Sequence, residues 1–362
     1  MQEPVDVLDP GQRADLATKQ ILRGQLETIK ANIEGARQNL DSEYLHDLRV
    51  ATRRTRSALG QIKEVFPEDV VADFKQRFAW LQQVTGPVRD LDVYLLDFPA
   101  IEQRLPPALR RDLQPLYAQL LQRHAEAQRQ LASELGSPQC IRLLQDWQAF
   151  IDAPVPGVEA VSSRIEGQPD ASLAQTGKAD GIGERSCVDG EQRSLQAWLP
   201  KQAAAPIKQV ADQRIRKMLK RVRAEGNAIT EQSPPEDLHE LRKSCKKLRY
   251  LMEFFQGLYP KGRMREQLKQ IKLLLDHLGR FQDAAVQAAH LREYAESSAG
   301  DHALPPATLL AMGALVGQLL QDQACVRDRF SAIFAGFSSA KNARRFRILL
   351  ATDPLSRHQR AA

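Results

Sequence analysis

The stretch that decides the fold occurs twice. Leu45-His46-Asp47-Leu48-Arg49 runs on to Arg53, Arg54 and Arg56, and Leu238-His239-Glu240-Leu241-Arg242 runs on to Lys246, Lys247 and Arg249. Both read L-H-[DE]-L-R followed by basic residues at matched positions, 193 residues apart. The spacing holds outward from there: Pro67 matches Pro260, Leu81 matches Leu274, Gly86 matches Gly279, Asp90 matches Asp283 and Val93 matches Val286. A register of 199 then takes over, in which Leu105-Pro106-Pro107-Ala108 matches Leu304-Pro305-Pro306-Ala307. The change of register puts a six-residue length difference in one loop. A repeat of this period, present in two copies, predicts two related modules and not a solenoid.

On a helix, side chains three and four apart share a face. Leu45, Leu48, Thr52, Thr55, Leu59, Ile62 and Phe66 step in this way and form a core-facing seam. His46, Arg49, Arg53 and Arg56 follow the same steps one residue later, about 100° further round. In the second copy the seam is Leu238, Leu241, Cys245, Leu248, Met252 and Phe255, and the row is His239, Arg242, Lys246 and Arg249. A charge run is usually a solvated face with ion pairs at i,i+4. These rows hold no acid within their own steps, and like charges at that spacing repel by roughly 0.2–0.5 kcal/mol per pair. A polyanion lying along the row would remove the repulsion.

The remaining chain predicts helices and no strands, because no sustained β-branched run has a period of two. Helices are expected over 12–40, 43–65 with Asp41 or Ser42 as N-cap, 68–85, a short one over 88–98, Pro106 to Leu135, 138–151, 203–225, onward from 236, 306–335 and 338–351. Residues 152–194 are rich in Gly, Ser, Pro, Gln and Asp, and carry eight acids against four bases. They read as an acidic flexible linker between a first half, 1–151, and a second, 195–362. Net charge is +6, and 201–290 alone holds 19 Lys/Arg against 10 Asp/Glu, so an acidic partner suits the second half. The four cysteines show no C-x-x-C. Met1–Pro10 has no apolar run, and no segment approaches the roughly 18 apolar residues of a membrane span. A cytoplasmic protein with no membrane association is the expectation.

The pattern H-x2-R-x3-[RK]-x2-R, followed about 40 residues later by G-x3-D-x2-V, resembles the CHAD family. The resemblance covers nearly the whole chain outside 152–194. It implies an all-α fold of two four-helix bundles related by internal duplication and a pseudo-twofold. It also implies non-catalytic binding of inorganic polyphosphate in a basic central pore, with polyphosphate granules as a setting. Carried over by position, His46, Arg49, Arg53 and Arg56 would line one half of the pore, and His239, Arg242, Lys246 and Arg249 the other. Arg54, Lys243 and Lys247 beside the rows, Arg23 with its counterpart Arg216, Lys220, and Lys269 with Lys272 on the next helix complete the candidate set. The family's Arg-Asp pair is present as Arg89-Asp90 but becomes Gln282-Asp283 in the second half.

Catalysis is not expected. No Ser or Cys recurs at a matching position beside both histidines, and the carboxylates that follow them, Asp47 and Glu240, sit one residue off the row, about 100° further round the helix, so the arrangement lacks the nucleophile and orienting partner that acid–base or nucleophilic chemistry would need. The seven histidines are scattered without an H-x3-H, so neither a metal nor another cofactor is expected. There is no G-x4-G-K-[ST] loop. A nucleic-acid binder is the rival reading, yet the rows lack the Asn, Gln and aromatic residues that read or stack on bases. A structural adaptor is the third.

Overall fold

The computed structural model describes residues 8–155, 200–297 and 304–351. The first half builds α1 (Ala14–Arg37), α2 (Ser42–Gln61), α3 (Glu68–Val84), α4 (Gly86–Gln103), the short α5 (Pro107–Arg110), α6 (Gln114–Leu135) and α7 (Pro138–Asp152). The second builds α8 (Ile207–Ala228), α9 (Pro235–Phe254), α10 (Lys261–Glu296), α11 (Pro306–Asp328), α12 (Phe330–Ser338) and α13 (Ala340–Ala351). The fold is all α. Among the described residues no strand forms, and a single isolated bridge joins Arg13 to Pro206.

The repeat spacing reappears in the helix limits. Both ends of α2 lie 193 residues before the ends of α9, and α3 begins the same distance before α10. Asp41 caps α2 by accepting from the Glu43 backbone N–H at 2.9 Å, whereas α9 opens on Pro235 without a side-chain cap. The halves differ where the proline differs. Pro87 lacks the N–H that would continue a helix through Gly86, and the chain breaks at Thr85 between α3 and α4. Its counterpart is Arg280, and α10 runs unbroken for 36 residues.

Several expected boundaries move. The short helix expected over 88–98 is the 18-residue α4, its Pro99 included. The long helix expected from Pro106 is divided, because Pro115 cannot donate into a preceding turn: α5 gives way to a 3₁₀ turn over Arg111–Leu113 before α6. The run expected over 306–335 bends at Arg329 between α11 and α12. That run also corrects the reading that nothing approaches a membrane span. Pro306–Ser338 contains an 18-residue stretch apolar enough to cross one by length and composition, with a mean hydropathy of 1.2 over that stretch. One face of α11, with Ala311, Met312, Leu315 and Leu319, is buried in the protein core, while Leu309, Leu310 and Leu320 are exposed. Of the expected linker, residues 156–194 lie outside the described residues.

Burial does not follow the two halves. One core joins Leu22, Leu26 and Ile29 of α1, the α2 seam, Phe78 of α3 and Trp147 of α7 to the α9 seam, Ile271 and Leu274 of α10, and Phe346 of α13. A second joins Tyr94 and Phe98 of α4 and Leu116 of α6 to Ala288 and Leu291 of α10 and Leu315 of α11. Backbone bonds tie the halves further: Ala14 donates to the Ala205 carbonyl at 2.9 Å, and Gln202 to that of Glu64 at 2.7 Å.

Candidate basic binding site

Both apolar seams are buried: Leu45, Leu48, Thr52, Thr55, Leu59, Ile62 and Phe66 in the first copy, and Leu238, Leu241, Cys245, Leu248, Met252 and Phe255 in the second. The basic rows, one residue later, lie on the flank of those seams and are half-buried at all eight positions. The basic side chains are therefore partly withdrawn from solvent rather than standing free in it, and Arg53 and Arg242 each have a buried Nε.

Contacts between α2 and α9 bring the rows together. Arg54 Nη2 lies 3.7 Å from Glu253 Oε2, and Gln61 Nε2 donates to the Lys247 carbonyl at 3.2 Å. Numbers rise on α2 as they fall on α9, so the helices pass antiparallel through this contact. The Arg53 guanidinium stands 6.0 Å from the centre of the Tyr250 ring, and Arg249 5.7 Å from it. His46 with Arg49 and His239 with Arg242 consequently point away to opposite ends. The two rows form one band with a shared centre, and each arm, seven helical rises from His46 to Arg53 or from His239 to Lys246, reaches about 10 Å along its helix.

The G-x3-D segments stand beside the rows in both halves. A Cβ built on Gly86 would lie 3.7 Å from Arg49 Nη1, and one on Gly279 3.9 Å from Arg242 Nη2. Arg242 Nη2 reaches Asp283 Oδ1 at 3.7 Å, while Asp90 acts on Arg49 through its charge. The recurring acids thus face the recurring arginines. Arg49 has a further task. Its Nη1 donates to the Gln82 carbonyl at 2.9 Å and to Thr85 Oγ1 at 2.8 Å, so a cation closes the C-terminal turn of α3. Burial holds the Arg49 guanidinium below its ordinary value against the opposing pull of Asp90, and Arg53 and Arg89 add to the lowering.

The same crowding is stronger at Lys246. Burial first, then the charges of Arg242 and Arg53, push its ammonium down to about 8, with Asp283 opposing and Arg249 adding to the depression. Two of these cations, Arg242 and Lys246, come from one half and Arg53 from the other, which places the halves' charges within reach of each other. Several donors in and beside the band are buried without a hydrogen-bond acceptor: Arg53 Nε, Arg54 Nε and Arg242 Nε within it, and Arg89 Nη1 on α4. His239 Nδ1 lies 2.7 Å from Gln282 Oε1, so the residue at the departed Arg position orients the second histidine.

Other expected site residues are engaged elsewhere or stand apart. Arg23 pairs with Asp152 at 2.7 Å, and Arg216 donates to the Leu350 carbonyl at 2.8 Å. Each guanidinium thus sits at the C-terminal end of its half's last helix in the described chain, α7 or α13, where a cation meets the unpaired carbonyls. Neither partner is on α2 or α9. Lys243 pairs with Glu240 at 2.7 Å on the exposed side of α9. Lys220, Lys247, Lys269 and Lys272 are exposed. A cleft of about 740 Å³ opens at the start of α8 beside Lys201, Lys208 and Arg216, and another lies along α1 beside Arg23. Neither is lined by α2 or α9.

Three features escaped the sequence reading. Glu253 extends the α9 row by one more i,i+4 step and accepts from Arg249 Nε at 2.8 Å, so the row does end in an acid. Tyr250 places an aromatic ring at the centre of the band, one position beyond the row. Arg89 shares the buried Asp92 with His124, at 4.0 and 2.7 Å, which ties α4 to α6 behind the first arm. The first was legible from its spacing. The other two depend on how helices distant in sequence cross.

The sequence pattern described as "CHAD domain" matches residues 20–292. The chain belongs to the CHAD family. Among solved structures it is similar to the CHAD domain from the plant Ricinus communis, with a TM-score of 0.68 and 22% identity over 94% of this chain and 96% of that one. It is also similar to PptA from Streptomyces chartreusis, with a TM-score of 0.57 and 16% identity over 89% of this chain and 99% of that one. At these identities the likeness shows the fold. A search of curated proteins finds no match.

Proposed function

We propose that this CHAD-family chain binds inorganic polyphosphate along the band formed by α2 and α9, without catalysis. The band reads as the meeting of two duplicated modules, each supplying one arm. The family is associated generally with polyphosphate binding, and one observation supports carrying that over. Lys246 is depressed to about 8 by burial together with Arg242 and Arg53, and Arg53, Arg54 and Arg242 of the same two helices each hold a buried Nε without a hydrogen-bond acceptor. A cluster of cations from two helices, held together at a cost to its own protonation, is stabilised by an anion with many charges. Arg supplies forked donors and Lys a compact charge, and both suit phosphate oxygens. A featureless repeating anion needs nothing further from the protein. On this reading the setting is the cytoplasm, at polyphosphate granules.

Nucleic acid is the second reading, and Tyr250 is the observation in its favour. Arg53 and Arg249 already lie against that ring, and the position matching it in the first half is Ser57, so the band offers no series of stacking platforms. The test is a titration of long-chain polyphosphate at increasing salt. By analogy with nucleic acid, log K falls with log salt by about 0.7–0.9 per neutralised phosphate. Affinity that does not change with salt would remove the band as the binding surface.

A further inference from the structure

At the centre of the basic band sits a carboxylate. Glu253 Oε1 accepts from Arg249 Nε at 2.8 Å, and its Oε2 faces Arg54 Nη2 of the other half at 3.7 Å. The Glu253 side chain is 23% exposed, and Oε2 is buried with no hydrogen-bond partner. The matching residue of the first half is Gly60, so one copy alone supplies the acid, and it serves arginines of both. Its contact with Arg249 is a good hydrogen bond, while its contact with Arg54 is an ion pair beyond hydrogen-bonding distance.

We propose that Glu253 is a resident counter-anion and a specificity-determining residue: it occupies the Arg54–Arg249 pair in the unliganded protein, denies that pair to small phosphates, and gives way to an extended one. The inference rests on the polyphosphate reading. The carboxylate is tethered to α9, two turns or less from the guanidinium it holds, so its effective concentration at the pair is high. A small anion meets it from dilute solution and loses. A long chain already lying on Arg53, Lys246 and Arg242 is itself tethered at the pair, and it offers two phosphate oxygens where Glu253 offers a well-made contact to one arginine only. Rotation of Glu253 toward solvent then leaves both guanidiniums to the chain. The carboxylate also offsets the mutual repulsion of Arg54, Arg53 and Arg249 while the band is empty.

Calorimetric titration of the full chain with pyrophosphate and with long-chain polyphosphate tests this on wild type, Glu253→Gln and Glu253→Asp. Glu253→Gln should bind pyrophosphate about three- to fivefold more tightly at low salt, the equivalent of a partly exposed ion pair. Glu253→Asp keeps the charge but is one methylene too short to bridge to α2, and should move in the same direction. The unliganded Glu253→Gln protein should melt at a lower temperature than wild type at low salt, with the difference vanishing at high salt. Unchanged or weaker pyrophosphate binding by Glu253→Gln would overturn the proposal, as would Glu253→Asp behaving like wild type, which would reduce the effect to charge alone. Should wild type fail to bind the long chain at all, the polyphosphate reading falls. The pyrophosphate ratio and the salt-dependent melting still decide the role of Glu253 in that case.

Discussion

Replacing Lys246 by Met retains most of the apolar stem and removes the charge. Burial, Arg242 and Arg53 hold the ammonium at about 8, against an ordinary value of 10.5. In the free protein Lys246 is therefore charged at pH 7 and largely neutral at pH 9.5. A bound polyanion favours the charged form and lifts the value again, so binding takes up a proton once the pH passes about 8. Affinity of the wild type must then fall with pH, by a limit of about tenfold per unit for one proton. At pH 7 the ammonium makes a charged hydrogen bond worth roughly 1.5–3 kcal/mol, and Lys246→Met should cost about tenfold or more in affinity. At pH 9.5 the two proteins should converge, because the wild type must first protonate. Stability moves the other way. The unfolded chain holds the proton up to 10.5 and the native one only to about 8, so wild-type stability rises with pH across that window. The cost of the charge is fully present below it. Lys246→Met should accordingly raise the melting temperature of the free protein most below pH 8. Calorimetry at pH 7, 8 and 9.5, in two buffers of different ionisation enthalpy, counts the protons. A variant weakened equally at every pH, with no proton uptake by wild type at pH 9, would refute the crowded-cation account.

Further outcomes follow from individual contacts. Arg49→Ala should lower stability by about 1–3 kcal/mol in chemical denaturation, because the Gln82 carbonyl and Thr85 both lose a partner, whereas Arg242→Ala, with an ion pair at 3.7 Å, should lower it less. Arg53→Ala with Arg56→Ala in one arm, or Arg242→Ala with Arg249→Ala in the other, should each reduce polyphosphate affinity and flatten its salt dependence with helicity unchanged by circular dichroism; loss from one arm only would separate the band into a site and a scaffold. Gly226→Ala should destabilise by about 1–3 kcal/mol without a direct effect on the band, since a Cβ there would overlap the Phe334 ring and α12 would have to shift away from α8.

The sequence carried the all-α class, most helix limits and the separation of seam from row, because these are local. A period of 3.6 and a one-residue displacement suffice to predict that Leu48 is buried and Arg49 lies on its flank. The difference of α3 and α4 from α10 was legible at one position: Gly86-Pro87 marks the break, and Arg280 in place of that proline leaves the N–H that lets α10 continue. What was not legible is what depends on helices meeting across roughly 190 residues. Arg23 and Arg216 entered the candidate set as a basic pair matched at the repeat offset, yet their partners, Asp152 and the Leu350 carbonyl, lie at the ends of α7 and α13. The antiparallel pass of α2 and α9 decides that Arg53 meets Tyr250 and Arg54 meets Glu253, and no spacing within either helix contains that register. The shared cores were hidden for the same reason, since a seam shows which face is buried and not which partner buries it.

The central claim is that the band of α2 and α9 recognises a polyanion by charge density alone and that inorganic polyphosphate is the anion. Competition binding measures it most directly: labelled long-chain polyphosphate is bound to the full chain at fixed salt and displaced by unlabelled polyphosphate, single-stranded DNA and RNA at matched total charge. The account predicts that polyphosphate displaces the label at the lowest concentration, that neither nucleic acid approaches it, and that Arg53→Ala with Lys246→Met abolishes the difference. Displacement by DNA or RNA as effective as by polyphosphate, or a preference that survives loss of both central cations, would contradict it.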